Sequence, residues 1–162
     1  MSEPTSVIEI KRILAPTDFS AHSDTAVRFA CQLAERLGSA LYLLHVLSEI
    51  LPTGPDPLLM PVMPPQFYKE NEDRAKQTLA CLPRPNWGKP VGVHTAIRWG
   101  GPVESIVSYA LDQTIDMIVI STHGRTGLSH VLLGSVAERI VREAPCPVLT
   151  IRDRGAAHPS SA

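Results

Sequence analysis

Five short strand-like runs alternate along this chain with four segments of helical periodicity, and that alternation restricts the fold more than any other feature. The runs fall at residues 13–15, 40–46, 91–98, 115–120 and 147–151. Over residues 21–37, Ala26, Phe29, Ala30, Leu33, Ala34 and Leu37 form a 3.6-residue stripe closed by Gly38. A second helix is expected over about 66–82, with Tyr68, Ala75 and Leu79 facing inward. A third follows Gly100-Gly101-Pro102 and carries Val103, Ile106, Val107, Ala110 and Leu111. A fourth begins after Gly134 and runs to about Glu143, with Val136, Ala137, Ile140, Val141 and Ala144 as its apolar positions. Such alternation implies parallel pairing through right-handed crossovers. The expected fold is therefore α/β: a single-domain, doubly wound, five-stranded parallel sheet with helices on both faces.

A chain of 162 residues that is 44% hydrophobic suffices for one core and is short for two. Residues 1–9 read as a polar lead, 10–152 as the domain and 153–162 as a flexible tail. Within the domain, the prolines of residues 48–65 exclude a long helix, so an extended surface loop is expected there. Its Leu58, Leu59, Met60, Val62 and Met63 suit a lid over a cleft, a contact with a dimer partner, or plain packing on the protein's own surface. Fifteen Lys and Arg against sixteen Asp and Glu give a net charge of -1 with no basic run, so nucleic acid is not an expected partner. No apolar stretch approaches a membrane span, so no membrane association is expected. Cys31, Cys81 and Cys146 form no CxxC pair, and the N-terminal residues carry no secretory pattern; free thiols and a cytoplasmic location are expected.

Open parallel sheets bind ligands beyond the carboxyl ends of their strands, where the winding reverses. The first and fourth runs end in Pro16-Thr17-Asp18 and in Ser121-Thr122-His123-Gly124, the two most distinctive segments of the chain. From there residues 121–135 (STHGRTGLSHVLLGS) lead from a buried strand to a helix start. Gly124 and Gly127 permit close backbone approach. The first amides and positive dipole end after Gly134-Ser135 favour an anion. Neither GxxxxGK[ST] nor GxGxxG occurs, and Arg125 is the only cation in the loop. A bland alternative is evenly matched: a glycine turn plus a capping box made by Ser135 and Glu138. Asp18 likewise suits a ligand contact, an Asx turn or an N-cap before the first helix.

Catalytic chemistry finds less support. His22, His45, His94, His123, His130 and His158 show no metal-ligand spacing, and His45 reads as a core residue. His123 belongs to the expected site but has no evident acid partner in the sequence, and Ser20, Ser121 and Ser135 have no identifiable base. Neither catalytic residues nor a metal site are expected. Cys146, between Pro145 and Pro147, reads as a small buried residue more than as a redox sensor.

Taken together, these segments resemble the universal stress protein family. Its nucleotide-binding members carry Gly-x2-Gly-x9-Gly-[Ser/Thr], which aligns with Ser121, Gly124 and Gly134-Ser135; Ser121 departs from the first glycine, adding a Cβ and a hydroxyl able to donate to phosphate. Ile13-Leu14-Ala15-Pro16-Thr17-Asp18-Phe19-Ser20, Leu44-His45-Val46, Trp99-Gly100-Gly101-Pro102 and Ala144-Pro145-Cys146-Pro147-Val148-Leu149 are similar to other family segments, so the resemblance covers about residues 10–152. It implies a Rossmann-like, adenine nucleotide α-hydrolase-like fold and a stress or metabolic sensor. The implied ligand is ATP or a related adenine nucleotide, with Mg²⁺ as a candidate companion. The implied partners are a second copy, paired through residues 147–151, and an unidentified downstream protein. Carried over by residue, Pro16, Thr17 and Asp18 would face adenine and ribose, and the Val46 backbone the base. Gly124, Arg125, Gly134, Ser135 and Val136 would surround the phosphates; Gly100, Ser121, Thr122, His123 and Gly127 complete the expected set. Two alternatives stay open: a nucleotide-independent dimeric chaperone-like or scaffold module, and a weak nucleotide hydrolase using His123 or Asp18. Hydrolysis is expected to be slow at most, because no base and no cation beyond Arg125 and Mg²⁺ are evident.

Overall fold

Strands and helices alternate as expected in the computed structural model, which describes residues 9–48, 64–123 and 133–152. In chain order they are β1 (Arg12–Pro16), α1 (Ala21–Leu37), β2 (Ala40–Leu47), α2 (Pro65–Ala80), β3 (Val93–Trp99), α3 (Pro102–Asp112), β4 (Met117–Ser121), α4 (Ser135–Glu143) and β5 (Val148–Ile151). The strands form one sheet in the order β3-β2-β1-β4-β5, every pair parallel. From β3 the chain passes back over β2 and β1 to reach β4. The winding therefore reverses between β1 and β4, and a crevice is expected at their carboxyl ends.

Side-chain alternation along the strands divides the interior into two cores. Ile13, Ala15, Leu41, Leu43 and Val119 pack with Val27, Ala30, Cys31 and Ala34 of α1 and Leu79 of α2. Leu14, Leu44, Ile118 and Ile120 pack with Val103, Ile106 and Ala110 of α3 and Ala137 and Ile140 of α4. The sheet is thus covered on both faces, with α1 and α2 on one and α3 and α4 on the other. Each large aliphatic side chain fully buried here contributes about 1.5–3 kcal/mol.

Five apolar assignments, spread over the four helices, are corrected. The buried stripe of α1 runs through Ala26, Val27, Ala30, Cys31 and Ala34, leaving Phe29 and Leu37 exposed. Alanines at 26, 30 and 34 let the helix lie close to the sheet, so the larger side chains fall outside the contact. Tyr68 of α2 is also exposed; it sits one turn from the helix start and meets the Trp99 ring edge-on at 5.3 Å, while Ala75 and Leu79 are buried. Leu111 and Val141 are exposed, while Ala144, the C-cap of α4, packs against the core as expected.

Cys31 is fully buried, and burial pushes its thiol up to about 12. Cys81 is exposed. Alkylation of the native protein at pH 8 is expected to modify Cys81 and spare Cys31 until denaturant is added; equal labelling of both would contradict the packing of α1. Because the unfolded thiol titrates near ~8.5, the unfolded chain loses its proton first. This contribution to stability is complete below that pH and is lost as pH rises toward the folded value. Gly38 ends α1 at φ 66 in open space. Gly38→Ala is expected to lower the unfolding free energy by about 1 kcal/mol in a urea titration, through backbone strain alone.

Candidate functional site

The segment leaving β1 is held by short-range hydrogen bonds. The Thr17 amide donates to the Leu44 carbonyl at 2.9 Å, continuing the pairing of β1 with β2. Thr17 Oγ1 accepts from the Phe19 amide and lies 3.0 Å from Ser23 Oγ, which donates to the Ser20 carbonyl. His45 Nδ1 stands 2.8 Å from the Thr17 carbonyl; a carbonyl can only accept, so this nitrogen carries the hydrogen. Phe19 stacks on His45 with ring centroids 4.1 Å apart, and its φ of 62 is uncommon for an aromatic residue. The N-cap of α1 is Ser20, whose hydroxyl accepts from the Ser23 amide. Asp18 instead forms an Asx turn, with Oδ1 accepting from the Ser20 amide at 3.0 Å.

At the end of β4, the Thr122 amide donates to the Ile151 carbonyl at 2.9 Å and the Gly134 amide donates to the Thr122 carbonyl at 2.7 Å. Gly134 is the N-cap of α4 and Ser135 its first residue, with no side-chain bond capping the turn among the described residues. The capping box expected from Ser135 and Glu138 is therefore absent: Ser135 lies one position too far inside the helix to act as N-cap. Gly134 has an ordinary φ of -67, so its requirement is space. A Cβ there would stand 3.0 Å from the Thr122 carbonyl oxygen.

Ser121, which the sequence resemblance aligns with a glycine, adopts its conformation without strain. It ends β4 in regular strand geometry, and no positive φ occurs there. Its hydroxyl donates to the His123 carbonyl at 2.7 Å, so its proton braces the turn and is not offered to a ligand. His123 Nδ1 lies 3.0 Å from Thr122 Oγ1, and its ring is 6.1 Å from that of His22.

These segments enclose a cavity of about 800 Å³ over the carboxyl edge of the sheet, within the range of small-molecule sites. Pro16, Thr17, Asp18, Val46, Ser121, Thr122, His123, Gly134, Ser135 and Val136 all line it. Gly100 is not on the wall; at φ 129 it turns the chain after β3, its amide donating to the Leu47 carbonyl at 3.0 Å. Gly124, Arg125 and Gly127 lie outside the described residues, as do Leu58, Leu59, Met60, Val62 and Met63 of the expected lid. No three His, Cys, Asp or Glu side chains converge as metal ligands among the described residues.

The cavity also has a wall that the strand-end logic does not anticipate. Phe67, Asn71, Arg74 and Thr78 of α2 line it, together with Trp99 at the end of β3. Their spacing of four, three and four residues is itself a helical stripe, adjacent to the buried Ala75 and Leu79. That spacing was available in the sequence as a signal.

Comparison with known proteins bears on this arrangement. Residues 9–152 match the family model described as the universal stress protein family. Universal stress protein MJ0531 of Methanocaldococcus jannaschii is 33% identical over 142 residues, covering 88% of this chain and 82% of that protein. The structure of universal stress protein UspA from Lactobacillus plantarum superposes with a TM-score of 0.74 at 27% identity, over 89% of this chain and 99% of that one. A universal stress protein of Archaeoglobus fulgidus, solved in complex with dAMP, shares the fold at a TM-score of 0.55 and 22% identity, over 90% and 99% of the two chains. With the sheet order, the strand-end crevice and a match spanning nearly all of the described chain, this protein belongs to the universal stress protein family.

Proposed function

We propose that the protein binds an adenine nucleotide, ATP or a close relative, in the cavity between β1, β4 and α4, and signals its occupancy as a homodimer. The observation that carries this reading is the start of α4. It opens on the cavity wall at Gly134, Ser135 and Val136, and no side chain among the described residues caps its first turn. Those amides and the positive helix end suit phosphate oxygens. Pro16, Leu44, Val46, Ile106 and Ile120 supply apolar surface for a base. The Archaeoglobus fulgidus relative holds dAMP, which agrees with the reading, although the resemblance at that identity is one of fold. Mg²⁺, where it accompanies the nucleotide, would be held chiefly by phosphate oxygens and water.

Asp18 and Ser121 are committed to structural hydrogen bonds within the turns. That favours binding over turnover, and the nucleotide acts as a ligand that shifts an equilibrium between conformers. β5 lies at a sheet edge, which supports pairing with a second copy through residues 147–151. Sedimentation equilibrium would give the mass of two chains; a monomer would remove this part of the reading.

Calorimetric titration with ATP and Mg²⁺ is expected to give micromolar binding to the wild type. Gly134→Val should weaken it at least roughly tenfold, by pushing α4 off the Thr122 carbonyl. Gly134→Ala provides a milder version should valine unfold the chain. Unchanged affinity in both variants, or no binding by folded wild type, would refute the site and turn attention to a nucleotide-independent interaction module. Ser121→Ala tests the family departure separately. Its ATP affinity is expected to stay within about threefold of wild type, because the hydroxyl already bonds inward; a larger loss would show that Ser121 contacts the ligand.

A further inference from the structure

The cavity straddles the sheet. Leu44, Val46, Ile120 and Ala137 of its wall belong to the core under α3 and α4, the side on which α4 begins. His45, between Leu44 and Val46, turns to the opposite face and stacks on Phe19, which packs with the core under α1. On that side the wall is completed by Phe67, Asn71 and Arg74 of α2 and by Trp99. The two sides differ in chemistry: one offers a helix start and aliphatic surface, the other aromatic rings and a guanidinium.

Arg74 is the arginine that the cavity wall contains among the described residues. Arg84, Arg98, Arg139 and Arg142, elsewhere in the structure, each meet a carboxylate. Arg74 meets none among the described residues, although Glu70 stands one turn earlier on the same helix. A guanidinium on a cavity wall, with no carboxylate partner among the described residues, suits a planar or tetrahedral oxyanion brought by a ligand. Phosphates extending from the ribose 5′ position toward α4 would leave it unused, because α4 begins on the other side of the sheet.

We propose that the α2 side of the cavity is a second anion subsite, in which Arg74 pairs with a second phosphate carried elsewhere on the ribose of an adenine nucleotide. The preferred ligand class is then an adenosine bisphosphate, with one phosphate at the start of α4 and the other on Arg74. The assignment rests on the nucleotide reading given above.

The test is calorimetric titration of wild type and Arg74→Gln with AMP, adenosine 2′,5′-bisphosphate and adenosine 3′,5′-bisphosphate. Arg74 is exposed, so the variant should fold, as a thermal melt would verify. Wild type is expected to bind one of the two isomers roughly tenfold more tightly than AMP, the gain typical of one charge-assisted contact. In Arg74→Gln that preference should vanish while AMP affinity stays the same. Wild type without preference, or a preference that survives in Arg74→Gln, would overturn the subsite. An equal loss of AMP and bisphosphate affinity in the variant would also overturn it, by placing Arg74 on the first phosphate. If folded wild type fails to bind AMP, the nucleotide reading falls and the subsite falls with it; AMP binding without bisphosphate preference defeats the subsite alone.

Discussion

The hydrogen bond from the Gly134 amide to the Thr122 carbonyl joins the end of β4 to the start of α4, and the cavity depends on that joint. The Thr122 amide is bonded in turn to the Ile151 carbonyl, so β4, α4 and β5 meet at one residue. A net contribution of about 0.5–1.5 kcal/mol per bond is modest. Its importance is geometric: it sets the first turn of α4 against the strand ends, where its amides meet the cavity. The approach is close enough that a Cβ at position 134 would press on the Thr122 carbonyl oxygen.

β1 is finished in a different way. Where β4 relies on a backbone joint, the segment after β1 is held by side chains: Thr17, Ser20 and Ser23 bond one another and the backbone, Asp18 closes an Asx turn, and His45 anchors the Thr17 carbonyl. These bonds hold Phe19 at a positive φ against the His45 ring. A bulky residue kept in that region signals that the surroundings determine its conformation. The two strand ends that flank the winding reversal are thus both rigidly specified, which preorganises a site between them.

Much of this was legible in the sequence, for identifiable reasons. The inner strands β1, β2 and β4 are largely buried and read as apolar runs, and the glycines at 38, 100 and 134 mark turns or caps, so element order and sheet class followed directly. Side-chain facing was harder. In α1 the stripe through Phe29 and Leu37 is nearly as periodic as the one through Val27 and Cys31, and only close packing of alanines on the sheet chooses between them. The capping box failed by a single position: Gly134 and Ser135 are both good N-caps, and the joint to Thr122 decides in favour of glycine. Strand-end logic located Pro16 to Asp18 and Ser121 to His123. It gave no reason to look at Phe67, Asn71 and Arg74, because α2 reaches the cavity only through tertiary placement beside β3.

α4 is nine residues long and is held to the sheet chiefly through the buried Ala137 and Ile140. An isolated helix of that length has little intrinsic stability in water, because so few bonds repay its nucleation. Its order is therefore conditional on its contacts. An anion accepting its first amides would add to the glycine N-cap a bond that no side chain among the described residues supplies. From Glu143 only four residues separate this helix from β5 at the sheet edge. A ligand bound at the start of this helix would therefore also bear on the firmness of that edge.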